Sequence, residues 1–324
     1  MAELRYNPLL GDWTMVSADR SKRPDMPKDF CPFCPDSGRV PPDYEVHRYD
    51  NDFPILSQDP WEPEAVGSDF YKTMPSYGKC EVILYSSDHH GNLRDLSQEH
   101  MEHLVDLWTE RYEELIVDEK IKFVFCFENR GREVGVTMPH PHGQIYGYSF
   151  MPLRMKVELA RAKEYYETEG ENLYDRILQE ELDFMDRLVT ENDSFVAFIP
   201  FFGEYPYGVY IFPRRPLASF SDFDEAARRD FAAILKEVTT LFDALFDATF
   251  PYMMGIYNAP AHDDLAEGAS DYFRFHVKFF PPLRAKGSLK YNASSETGAW
   301  AYGNPRRVED CARELRETKE RLHG

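Results

Sequence analysis

The stretch from Glu128 to Gln144, ENRGREVGVTMPHPHGQ, concentrates the groups in this chain that could do chemistry. It closes on His140-Pro141-His142-Gly143-Gln144: two imidazoles two residues apart, and a carboxamide two residues further on. In an extended segment alternate side chains share a face, so His140, His142 and Gln144 are expected to point into one small volume. Pro141 fixes its own φ and restrains the residue before it. Gly143 leaves its backbone N–H open to close approach by an anion. A nucleophile, a neighbour that could position it and a neutral hydrogen-bond donor are the parts needed to attack a phosphate. A bare His-x-His would read equally well as strand polar residues or a simple metal pair; the full string is more specific.

The elements that must position these groups can be read from periodicity. The run from Ile121 to Asn129, IKFVFCFEN, predicts a strand leading into a glycine-containing loop and then the histidine motif. Upstream, Cys80–Ser86 predicts another strand, and Trp13–Ser17 a short one. Between them Met101, Leu104, Leu107, Trp108, Tyr112 and Leu115 recur three to four apart, the spacing of an amphipathic helix, with Ser97 as its N-cap. Residues 154–192 read as mainly helical, broken near Gly170. The order strand, strand, helix, strand, strand then recurs between Phe195 and Pro282, which predicts an internal duplication. His276 stands in the second copy where the first has its motif, without the H-P-H-G-Q string. The expected organisation is a first half over 1–153, a helical connection over 154–192 and a second half over 193–324. The closing segment, PRRVEDCARELRETKERL, predicts a charged, solvated helix with acids at its start and bases at its end.

Composition narrows the functional classes. The chain of 324 residues is 43% hydrophobic and 29% charged, as expected of a globular protein. Its formal net charge of −20 argues against a nucleic-acid or anionic-membrane partner, both of which need a basic surface. A small anionic substrate needs only a local cluster of cations and N–H groups. No run is long enough for a membrane span, and the N-terminus lacks the pattern of a secretory signal. Five cysteines, an odd number, suit a reducing compartment with a metal or free thiols; a cytoplasmic location is expected. Cys31 and Cys34 form a C-x-x-C among prolines and a glycine, which reads as a zinc knuckle or, less readily, a redox pair.

The string F-E-N-R-G followed by H-P-H-G-Q resembles the active-site signature of galactose-1-phosphate uridylyltransferases, the transferase branch of the histidine-triad superfamily. The resemblance extends from Arg20 to about Glu296 and weakens after Pro282. It implies an α+β fold of two related histidine-triad-like halves, mostly antiparallel sheet flanked by helices. It implies nucleotidyl transfer between UDP-glucose and galactose-1-phosphate by a ping-pong route, with His142 as the nucleophile and Gln144 donating to a phosphoryl oxygen. An imidazole that takes the nucleotidyl group divides one difficult displacement into two. By resemblance Arg20 and Arg23 lie near the nucleotide phosphates, and Lys22 shares their basic segment. Asn51, Asp52 and Phe53 lie against the nucleoside; an Asx turn is the plain alternative for the first two. Asn129 reaches the nucleotide. Arg130, Gly131, Arg132, Gly135 and Thr137 surround the transferring charge, with Thr137 standing where the family has Ser.

The resemblance also selects His89 over His90 as the companion of Cys31, Cys34 and His140 in a closed, structural zinc site. Family members can carry a second metal held by one Glu and three His. Glu158 and His276 fit two of those places, but Tyr257 and Lys278 stand in the other two. A lysine is a poor ligand at neutral pH, so a second metal is expected to be absent. Lys290 and Glu296 match sugar-binding positions that the family supplies from a partner subunit, and a homodimer is implied; Tyr302 stands where a Gln is expected. Two other readings remain open. One is an ADP-sugar or dinucleoside polyphosphate phosphorylase of the same superfamily, and the other a zinc-containing nucleotide-binding module without turnover.

Overall fold

The computed structural model describes residues 2–18, 30–64 and 66–324. Through the first half these run β1 (Ala2–Asn7), β2 (Asp12–Ser17), β3 (His47–Asp50), β4 (Thr73–Pro75), β5 (Gly78–Leu84), α1 (Gln98–Ile116), β6 (Phe123–Arg130) and β7 (His142–Tyr148). Two helices follow, α2 (Leu153–Glu169) and α3 (Leu173–Phe184). Next come β8 (Leu188–Glu191), β9 (Phe195–Phe198), β10 (Tyr210–Pro213), α4 (Glu225–Phe246), β11 (Tyr252–Tyr257), α5 (Ala269–Tyr272) and β12 (His276–Phe280). The chain closes with β13 (Leu283–Ala285), β14 (Ser288–Leu289), α6 (Ser294–Ala299) and α7 (Val308–His323).

Nine strands form one antiparallel sheet in the order β3-β5-β7-β6-β11-β12-β10-β9-β8. It reads alike outward from the central β6–β11 pair. Phe127 on β6 lies opposite Gly255 on β11. Phe127 is also opposite Gln144 on β7, and Gly255 opposite Lys278 on β12. One strand further out, Gln144 faces Val82 and Lys278 faces Tyr210. Gln144 and Lys278 therefore occupy equivalent places, as do His142 and His276. The fold is α+β, with two related halves sharing one continuous sheet.

Alternation along each strand sorts residues between two layers. Ile83, Tyr85, Val124, Cys126 and Ile145 face the helical layer, packing with Met101, Leu104 and Trp108 of α1 and with Leu235, Val238 and Phe242 of α4. On the opposite face α2 and α3 cover the second half through Met155, Leu159, Tyr174 and Leu178. The first half is covered there by the small β2-β1-β4 sheet and by the knuckle around Phe33 and Val40. α1 starts where the sequence predicts, with the Ser97 hydroxyl accepting from His100 N–H at 3.0 Å. α7 differs from expectation. Val308, Cys311, Ala312 and Leu315 recur at three- and four-residue spacing and bury an apolar stripe in the helical layer. Its many charges occupy only the remaining face.

Candidate active site

β7 and the loop before it bring the histidine motif beside the C-x-x-C knuckle. The cysteine knuckle closes on a Cys34 N–H to Cys31 carbonyl hydrogen bond of 3.2 Å, followed by a short 3-10 turn at Pro35–Ser37. Cys34 Sγ lies 3.3 Å from His89 Nδ1, and His140 Nδ1 lies 3.7 and 3.8 Å from the Cys31 and Cys34 sulfurs. The four ligand atoms are all within 4.8 Å of one another. Tetrahedral zinc, with bonds of about 2.3 Å to sulfur and about 2.0–2.1 Å to nitrogen, sets its ligands roughly 3.3–3.8 Å apart. The residues thus fit such an ion. Burial and the adjoining Cys31 thiol push the Cys34 thiol up to about 11, a strain on the thiolate that a bound cation relieves. Burial pushes His140 down to about 4, which keeps it neutral and able to ligate. Its other nitrogen, Nε2, donates to the Ser86 carbonyl at 2.8 Å and lies 3.0 Å from the Tyr44 hydroxyl. His89, not His90, belongs to the cluster.

His142 opens β7 at the edge of a cavity of about 300 Å³. Its Nδ1 lies 2.7 Å from the His140 carbonyl oxygen. A carbonyl oxygen can only accept, so Nδ1 carries the proton and Nε2 presents its lone pair. Pro141 delivers this geometry: its carbonyl accepts from Tyr85 N–H at 3.1 Å, which fixes the short segment between the two imidazoles. Gly143 is required for packing. A Cβ there would lie 2.1 Å from the Tyr85 hydroxyl oxygen and 3.0 Å from the Phe127 carbonyl oxygen. Gln144 follows on the same face of β7, its Oε1 accepting from Tyr146 at 3.2 Å, which leaves the amide N–H groups to donate.

Asn129, Gly131, Thr137, His140 and His142 line the same cavity, and Thr249 joins them from the second half. Alternation on β6 places Asn129 on the His142 face. Glu128 and Arg130 turn to the helical side, where the Arg130 guanidinium makes two 2.8 Å bonds to Asp243 of α4. Arg130 borders the cavity, but its charge is already matched there. Glu128 is buried and lies 3.3 Å from the Tyr252 hydroxyl; burial pushes its carboxyl up to about 7. Sequence reasoning missed Tyr44, Ser86, Asp243 and Thr249, all remote in the chain and without a local motif.

Other expected site residues stand elsewhere. Arg20 and Arg23 lie outside the described residues. Asp52 and Phe53 border a second cavity of about 230 Å³ beside Pro54 and Trp61, while Asn51 forms an Asx turn to Phe53 N–H at 2.9 Å. Lys290 and Glu296 pair at 3.0 Å near Tyr205, apart from the residues lining the His142 cavity. Glu158, His276, Lys278 and Tyr257 come together but do not suit a second metal. The Lys278 ammonium sits 2.5 Å from Glu158 and the Tyr257 ring stacks on His276 at 4.7 Å, so a cation already occupies the carboxylate.

Two family models match this chain: "Galactose-1-phosphate uridyl transferase, N-terminal domain" over residues 1–152 and the corresponding C-terminal domain over 158–290. The chain belongs to the galactose-1-phosphate uridylyltransferase family. It is 40% identical to the galactose-1-phosphate uridylyltransferase of Thermotoga maritima, across 98% of this chain and 99% of that one. Identity to the Saccharomyces cerevisiae enzyme of the same name is 29%, across 98% and 95%. Among solved structures, a uridylyltransferase at 27% identity superposes with a TM-score of 0.90, covering 99% of this chain and 100% of the other. An ADP-glucose phosphorylase from Arabidopsis thaliana, at 24% identity and TM-score 0.75, shares the fold over 98% and 99%. Among the described residues no helix is long and apolar enough to cross a membrane.

Proposed function

We propose that the protein exchanges UMP between UDP-glucose and galactose-1-phosphate through a covalent intermediate on His142. In the first step the Nε2 lone pair attacks the α-phosphorus and the P–O bond to the β-phosphate breaks, releasing glucose-1-phosphate. In the second, a phosphate oxygen of galactose-1-phosphate attacks the same phosphorus and the N–P bond breaks, releasing UDP-galactose and restoring the imidazole. The observation that carries this reading is the 2.7 Å contact from His142 Nδ1 to the His140 carbonyl. It fixes the tautomer that attack requires, on a strand whose neighbouring imidazole belongs to the Cys/His cluster.

Gln144, Thr137 and those N–H groups of the 131–135 loop that its own turns do not use take the phosphoryl oxygens, where charge accumulates during transfer. Asn129, Asn51, Asp52 and Phe53 bind the nucleoside, and Arg20 and Arg23 the phosphates. Cys31, Cys34, His89 and His140 hold a zinc ion whose contribution is to cross-link the knuckle to the catalytic strand. Lys290 and Glu296 bind the hexose phosphate of a partner's site. Their distance from the residues of their own subunit's cavity supports a homodimer. The acidic chain, whose five cysteines form no disulfide, fits a cytoplasmic enzyme.

The test is incubation with UDP-glucose labelled in the uridine. Wild type should gain one acid-labile label per chain on His142, and His142→Ala none. Full turnover by His142→Ala would sink the mechanism. The same assay with ADP-glucose, and with inorganic phosphate as acceptor, separates uridylyl transfer from the phosphorylase reading.

A further inference from the structure

The cavity holding His142 takes part of its wall from the second half of the chain. Thr249 lines it, and Gly131, at φ 97°, sits so close to Pro251 that a Cβ would lie 2.8 Å from the proline Cβ. Behind this contact is a buried carboxylate that serves several partners. Asp243, 2% exposed at the last turn of α4, accepts from Arg130 Nη1 and Nη2 at 2.8 Å each. Its Oδ1 also accepts from Phe250 N–H at 2.8 Å, and Arg94 Nε lies 3.3 Å from its Oδ2. Arg94 follows Asn92 and Leu93, which also line the cavity.

The loop itself is bonded mainly within itself. Val134 and Val136 N–H donate to the Gly131 carbonyl at 3.4 and 3.3 Å, and Gly135 N–H to the Arg132 carbonyl at 3.0 Å. Its orientation as a body therefore depends on its two stems. One stem ends at Met138, 3.9 Å from the Cys31 sulfur, beside the Cys/His cluster. The other is Arg130.

We propose that Asp243 is a positioning residue for the transfer site. Through Arg130 it holds the Gly131–Val136 loop against the second half, and so sets where the loop, and Thr137 after it, stand relative to His142. The second half, which lacks an H-P-H-G-Q string, thereby contributes to the chemistry of the first. This inference rests on the transfer reaction proposed above.

Asp243→Asn keeps the size of the side chain but turns an N–H₂ toward the guanidinium or breaks one of the paired bonds. The measurement is single-turnover labelling of His142 at saturating UDP-glucose, with metal content and amide exchange followed in parallel. A displaced loop should slow labelling by about 10- to 100-fold, since small misplacements near a reacting group cost that much. Exchange at 131–136 should quicken while metal content and exchange along α1 stay as in wild type. Arg130→Met/Asp243→Leu removes both charges, fills the space with apolar atoms and covers the case in which Asp243→Asn misfolds. It should fold and be no slower than Asp243→Asn, because Asp243 acts through Arg130. Labelling at the wild-type rate by either folded variant, or unchanged exchange at 131–136, overturns the assignment of Asp243. Failure of the wild type itself to label would instead defeat the proposed reaction, and the exchange measurement would still judge the clamp.

Discussion

His142 and His276 hold their rings in the same way: each Nδ1 lies 2.7 Å from the carbonyl oxygen two residues earlier, that of His140 and that of Arg274. The two stand at equivalent places on β7 and β12, yet their surroundings have diverged. His142 borders a cavity beside the Cys/His cluster. His276 is fully buried among Tyr174, Tyr257 and Phe212, and its Nε2 has no hydrogen-bond partner among the described residues. The same backbone device thus serves a cavity edge in one half and a closed core in the other.

That burial makes His276 a source of acid lability. Desolvation and the neighbouring Lys278 push it down to about 3, against about 6.5 for an exposed imidazole. Between these values the unfolded chain binds a proton that the folded chain refuses, so stability falls as pH drops from 6.5 toward 3. From pH 6.5 to 5 this group alone should cost about 2 kcal/mol. The groups facing it are Glu158 from α2, Lys278 on its own strand and the Tyr174 and Tyr257 hydroxyl-bearing rings. Glu128, raised to about 7, works in the opposite direction over pH 4.5–7, contributing stability that is lost as pH rises. The reading is therefore the difference between wild type and His276→Phe in urea unfolding at pH 7 and pH 5. The variant should lose less on acidification; parallel losses would refute the account.

Lys278 replaces, with a covalently attached cation, the positive charge that Glu158 needs. Lys278 is 4% exposed, and its ammonium lies 2.5 Å from the carboxylate and 4.8 Å from the Tyr257 ring centroid. The carboxyl of Glu158 is accordingly held down to about 2 despite its own burial. Lys278→Met leaves that carboxylate to Arg154 alone, whose Nε lies 3.3 Å from its other oxygen, and should destabilise the protein by about 1–3 kcal/mol. Lys278→Met/Glu158→Gln, which removes both charges, should recover most of the loss. Equal stability of the single and double variants in denaturant titration would show that the pair is not what holds α2 to β12.

Much of the site was legible because it is local. Period-2 alternation placed His142 and Gln144 on one face, and the C-x-x-C read as a metal knuckle, with His89 and His140 joined to it through the family resemblance. The same alternation, carried back along β6, separates Asn129 from Arg130: one shares the His142 face and the other points at α4. What the sequence could not supply was the partner. Asp243 lies 113 residues from Arg130, in a helix whose pattern reads only as amphipathic. Lys290 and Glu296 are similar: they pair with each other outside the His142 cavity, and nothing local in their segment marks where it lies. The closing helix departs from the solvated one expected for a different reason: its charges outnumber its apolar residues, but a narrow stripe suffices to bury one face.

Gly143 has no functional group, yet a methyl there would be costly. The Tyr85 hydroxyl occupies the space, 2.1 Å from an added Cβ, and the Phe127 carbonyl closes the other side at 3.0 Å. Tyr85 is 1% exposed and cannot swing into solvent. Gly143→Ala should lose about 1–3 kcal/mol by overpacking and slow labelling of His142, since β7 must shift where the imidazole stands. Tyr85→Phe in the same chain removes the nearest atom and should restore part of both. Unaltered labelling in Gly143→Ala would mean the strand can move without disturbing its neighbour.

Tyr44 should decide how firmly the Cys/His cluster keeps its ion. Its hydroxyl is 2.6 Å from the Phe33 carbonyl in the knuckle, 3.1 Å from the Ser86 carbonyl and 3.0 Å from His140 Nε2. One buried oxygen therefore touches the cysteine loop, the strand end before His89 and the ring of a third ligand. Partners of this kind orient ligands and typically change metal affinity by about 10–100-fold when removed. Tyr44→Phe should fold, retain both cysteines and yield zinc to a chelator at about 10-fold lower chelator concentration than wild type. Labelling of His142 by UDP-glucose should fall in step with metal loss and return when zinc is restored. Chelator curves that superimpose would show that the Ser86 carbonyl alone orients His140, and that Tyr44 only joins the knuckle to the sheet.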